Sequence, residues 1–110
     1  QAHAWNNQFM RLTAQQQATV RDTVAETFGS GSQVRLFGSR VDDTRRGGDI
    51  DLLVSTTQCD VETLMRAEIA LLTKLQLRLG EQKIDVLLDY PSRKVRPPIF
   101  GIALQTGILL

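Results

Sequence analysis

The chain has 110 residues, of which 42% are hydrophobic and 23% charged, with a formal net charge of +1 and one cysteine. That length holds one domain, residues 1–110, around a small core, and so little net charge argues against direct nucleic-acid binding or attraction to a membrane surface. A single thiol, Cys59, excludes an internal disulfide and suits the reducing cytoplasm. No apolar run approaches the ~18 residues of a membrane span, and no charged-then-apolar signal opens the chain, so a cytoplasmic location is expected.

Residues 1–12 carry no firm period, with Trp5 and Phe9 as possible anchors. Thr13 and Gln16 read as a capping box. Val20, Val24 and Phe28 continue a helical stripe to Gly29, which suits a helix C-terminus. After the tight Gly29-Ser30-Gly31-Ser32 connection, Gln33 to Phe37 predicts a first strand with Val34 and Leu36 alternating. From Ser39 a short, poorly periodic helix and loop is expected, carrying Asp42, Asp43, Arg45 and Arg46. Asp49 to Ser55 predicts a second strand, and its run of Ile50, Leu52, Leu53 and Val54 implies burial on both faces.

Asp60 caps a long helix that ends near Gly80. At 100° per residue, Val61, Leu64, Met65, Leu72, Leu75 and Leu79 share its predicted core face. Leu77 falls on the polar side, and Glu68 interrupts the apolar stripe as a carboxylate at the core's edge. Lys83 to Leu88 predicts the third strand. Tyr90 to Pro98 is an irregular basic loop, and a last helix spans Ile99 to Thr106, closed by Gly107. Helices alternating with strands indicate an α/β layer architecture.

The most informative segment runs from Phe37 to Val54. A Gly38-Ser39 pair ends the first apolar run, and Asp49 and Asp51 alternate at the start of the second. Residues two apart on a strand share a face, so both carboxylates aim at one spot, their Cβ atoms about 6–7 Å apart. Unpaired carboxylates so placed repel each other. A cation with oxygen ligands, such as Mg²⁺, removes that cost. Gly38 permits close backbone approach to a phosphate, and Ser39 offers a hydroxyl at a helix start, where anions bind. Alone, an Asp-x-Asp at a strand start is more often a cap or a turn former; the Gly-Ser pair before it favours a phosphate site facing a metal site.

These residues resemble the active-site signature of the nucleotidyltransferase superfamily related to DNA polymerase β: Gly-Ser at a strand–helix turn, about ten residues, then Asp-x-Asp on the next strand. Here nine residues, Arg40 to Gly48, separate Ser39 from Asp49, one fewer than the commonest form. The resemblance implies a nucleotidyltransferase fold, α/β (α+β in some schemes), with a small mixed sheet of three or slightly more strands backed by helices. It also implies a third carboxylate on a later strand, for which Asp85 is the candidate. On this reading Asp49, Asp51 and Asp85 are catalytic and hold two Mg²⁺ ions, while Gly38, Ser39 and Arg40 bind the phosphates of ATP. An acceptor hydroxyl attacks the α-phosphorus of the triphosphate, and pyrophosphate leaves.

The chain stops soon after its third strand, so it is similar to the minimal nucleotidyltransferases, which act with a separate all-helical partner. The resemblance implies the antitoxin type, which transfers AMP onto a hydroxyl of a partner HEPN-like toxin. Two alternatives stand beside it: a small-molecule transferase of the aminoglycoside type, completed by a homodimer or a partner, and a non-catalytic module that only covers its partner. Three features are expected at a partner surface: Leu77, the loop with Arg93, Lys94 and Arg96, and the apolar Ile108-Leu109-Leu110. By default the basic loop is simply solvated.

Overall fold

Thr13 opens the first helix as its sequence predicts. In the computed structural model, which describes residues 12–37 and 50–110, its hydroxyl accepts from the Gln16 backbone while the Gln16 side chain accepts from the Thr13 N–H. Helix α1 (Ala14–Phe28) is thereby started, and it stops at Gly29. Helix α2 (Val61–Leu79) starts on the Asp60 carboxylate, which accepts from the Thr63 N–H at 3.1 Å, and stops at Gly80. Both stop residues have positive φ, 102° and 90°, where a side chain would strain the backbone and glycine does not.

The strands are β1 (Gln33–Phe37), β2 (Ile50–Ser55), β3 (Ile84–Asp89) and β4 (Ile108–Leu109). A third helix, α3 (Ile99–Thr106), lies between the last two. The sheet order is β3-β2-β1-β4; β2 and β3 run parallel, and β1 runs antiparallel to both β2 and β4. Parallel neighbours need a crossover, and α2 supplies it. The expected small mixed α/β sheet is present with one strand more than the three predicted elements. Among the described residues no helix is long and apolar enough to cross a membrane.

Alternation along the strands divides the side chains between two faces. Val34, Leu36, Ile50, Leu52, Val54, Ile84 and Leu88 join Val20, Val24, Leu64, Leu71 and Leu75 of α1 and α2 in the main core. On the opposite face a smaller cluster of Phe37, Leu53, Phe100 and Ala103 packs against α3, with Leu87 beside it. Leu52, Leu53 and Val54 are all fully buried, so the unbroken apolar run of β2 does serve both faces.

Two expectations need correction. The core face of α2 is Leu64, Ala67, Leu71 and Leu75, rotated by roughly 80° from the predicted one. Val61 and Met65, assigned to the core, are each 53% exposed, and Leu72 and Leu79 pack only at its margin. The helix is apolar over more than half its circumference, and its orientation is set by α1: Lys74 and Arg78 both bond the Glu26 carboxylate, and Arg78 also reaches the Thr23 hydroxyl at 2.8 Å. The second correction concerns the tail. Ile108 and Leu110 are half-buried against the core and Leu110 donates its N–H to the Val34 carbonyl, so this segment extends the sheet, with Leu109 left exposed.

Glu68 does sit at the edge of the core, and burial alone lifts its carboxyl above the ordinary value. A raised carboxyl pKa means that the folded chain holds its proton longer than the unfolded one, so Glu68 lowers stability as pH rises through the window between the two values. Glu68→Gln is expected to melt at a higher temperature than wild type at pH 7. That advantage should vanish at about pH 3, well below the ordinary glutamate value, where the carboxyl is neutral in both states. An equal advantage at both pH values would contradict the assignment.

Candidate active site

The smaller face carries the acidic residues. Asp51 pairs in register with Asp85 across the parallel β2–β3 ladder and with Phe37 across the antiparallel β1–β2 ladder. The three therefore form one row on one face, and register neighbours lie about 4.8 Å apart. Two carboxylates far apart in sequence are thus brought side by side, as the third-ligand expectation for Asp85 required. Asp51 is half-buried and Asp85 exposed. No hydrogen bond or ion pair ties the Asp85 carboxylate to any described residue.

The pair opens into a cleft of about 330 Å³, lined also by Val86, Leu87, Ile99 and Ile102, with Phe37 at one end. Its floor is the sheet and its wall is α3. Like charges directly opposite each other in a ladder destabilise it, and a hard divalent cation bound through their oxygens reverses that term. Asp51 and Asp85 fit such an ion in donor type, spacing and access. Among the described residues no group of three possible ligands is present. The expected third ligand, Asp49, lies outside the described residues, as do the phosphate-binding candidates Gly38, Ser39 and Arg40 and the loop residues Asp42, Asp43, Arg45 and Arg46.

The basic loop is exposed, as its composition suggests, but it is also tied together by its own arginines. Arg93 donates from Nε to the Val95 carbonyl at 2.8 Å and from Nη1 to the Leu88 carbonyl at 3.2 Å. Its guanidinium carbon lies 4.6 Å from the centre of the Phe100 ring and 5.9 Å from that of Tyr90. Arg96 donates to the Asp89 carboxylate at 2.8 Å and to the Tyr90 and Arg93 carbonyls at 3.0 Å. Both arginines hold the loop together, which leaves exposed Lys94 as the loop cation with no bonded partner among the described residues. The only signal of this in the sequence was an aromatic residue on either side of the basic cluster.

Leu77, at 80% exposed, is on the solvent side as expected. With Val61, Met65, Ile69 and Thr73 it forms an exposed row at four-residue spacing along α2. No protein-family profile matches the chain, and no curated protein is significantly similar to it.

Proposed function

We propose that this chain is a Mg²⁺-dependent nucleotidyltransferase that moves a nucleoside monophosphate, AMP from ATP, onto a hydroxyl of a partner protein, as the antitoxin of a toxin–antitoxin pair. The observation that carries this reading is the register of Asp51 with Asp85 on the sheet face turned away from the main core, at an open cleft. Half-buried Asp51 stands beside exposed Asp85, and the Asp85 carboxylate has no bonded partner among the described residues, an arrangement with a use in binding cations. The Gly38-Ser39 pair that follows β1 in the sequence and the Asp49-Ile50-Asp51 run add the sequence half of the argument.

Bound Mg²⁺ supplies the positive charge that balances the charge building on the phosphoryl oxygens and the pyrophosphate leaving group. Asp51 and Asp85 would hold it, with Asp49 as the third candidate. Asp85, exposed on β3, would accept the proton of the acceptor hydroxyl as its oxygen bonds to the α-phosphorus and pyrophosphate leaves. The apolar walls of Leu87, Ile99 and Ile102 offer little to a polycationic, polyhydroxylated acceptor, which sets the protein acceptor ahead of a small aminoglycoside.

The test is incubation of the chain with Mg²⁺, each of the four ribonucleoside triphosphates in turn and an all-helical partner protein, followed by intact-mass measurement. The expected result is a gain of one nucleoside monophosphate on the partner, with release of pyrophosphate. No gain with any triphosphate, while the partner is still bound and neutralised, would replace the enzyme by a binding module.

A further inference from the structure

Arg93 joins the end of β3, the loop after it and α3. Its two hydrogen bonds fix the loop to the β3 terminus at Leu88, and its flat face covers Phe100 in the first turn of α3. Phe100 in turn packs with Phe37 and Leu53 beneath the cleft, and Ile99 and Ile102 on the same helix form the cleft wall. The α3 N-terminus has no side-chain cap of its own, because Pro98 stands there. Phe100 and Ala103 pack the helix onto Phe37 and Leu53, and β4 ties its C-terminal end to β1; at the uncapped N-terminal end the arginine adds the anchor.

We infer that Arg93 is a positioning residue, which sets the distance between the Ile99–Ile102 wall and the Asp51–Asp85 pair. This rests on the reading of that pair as a cation site. The chemistry requires arginine. Its planar fork reaches two carbonyls while its face stacks on an aromatic ring, and lysine, with a point charge on a flexible stem, does only part of this. Loss of the anchor frees the N-terminal end of α3 to move away from the sheet, which widens the cleft without touching the carboxylates.

Mn²⁺ provides a direct ruler. It takes the oxygen ligands that Mg²⁺ takes, and it broadens nearby methyl resonances with a steep dependence on distance. In the wild-type chain labelled at isoleucine methyls, Mn²⁺ is expected to broaden Ile99 and Ile102 more than Ile69, which lies on α2 beyond the other face of the sheet. Arg93→Ala should keep its Mn²⁺ affinity within about twofold while the broadening at Ile102 falls by at least about twofold, and Arg93→Lys should lie between the two. Unchanged broadening at Ile102 in Arg93→Ala, or in Arg93→Lys if the alanine variant does not fold, overturns the inference and leaves the cation site standing. Wild-type broadening that is absent, or that survives Asp51→Asn, defeats the cation site itself and the inference with it.

Discussion

Asp51→Asn is expected to lower nucleotidyl transfer at least about 100-fold, the scale on which a lost charge-stabilising group acts in a transition state. Asp85→Asn should lower transfer on the same scale while thermal stability holds or rises. Asp85 is exposed and stands opposite Asp51 in the ladder, and neutralising one of two adjacent carboxylates removes a repulsion that the metal-free chain must otherwise carry. A loss of activity with a gain of stability is the signature of a residue retained for chemistry and not for folding. Rates from initial pyrophosphate release and melting curves with and without Mg²⁺ measure both. Turnover at the wild-type rate in Asp51→Asn would remove the pair from the mechanism.

The second large effect is in the core. Leu71→Ala is expected to cost about 2–5 kcal/mol, since Leu71 is fully buried at the centre of the inner face of α2 and a cavity remains where it stood. Met65→Ala, one and a half turns earlier on the same helix, should change stability by no more than about 0.5 kcal/mol, because its side chain is 53% exposed. Denaturant titration of the two variants decides between the observed face of α2 and the one drawn from periodicity. Comparable losses would restore the face that includes Met65.

This pair of variants marks where reading from sequence stops. The boundaries of α1 and α2 were legible because they are written in local chemistry: a Thr-Gln capping box, an Asp N-cap and glycines at positive φ; those of α3 were legible from Pro98 before it and Gly107 after it. The rotation of α2 was not. Leucines and their apolar neighbours cover so much of that helix that two stripes compete, and the decision lies in Glu26 of α1, whose ion pairs to Lys74 and Arg78 no periodicity encodes. Strand β4 was missed for a related reason. Two residues cannot show alternation, and only the backbone of β1 beside them makes them a strand. At the site, Asp85 could be assigned from the apolar run around it, whereas its alignment with Asp51 is a property of the parallel pairing. The role of Arg93 was hidden because a basic cluster reads as surface until the aromatic rings it covers are brought to it.

The crossover through α2 has an evolutionary consequence. The register that aligns Asp51 with Asp85 belongs to β2 and β3, which the α2 crossover connects. Changes in connection length are among the least costly a domain can absorb, and the ladder holds the two acidic residues opposite each other whatever the lengths of the connections at residues 56–60 and 80–83. Those loops can therefore lengthen or shorten over generations while the acidic pair stays aligned.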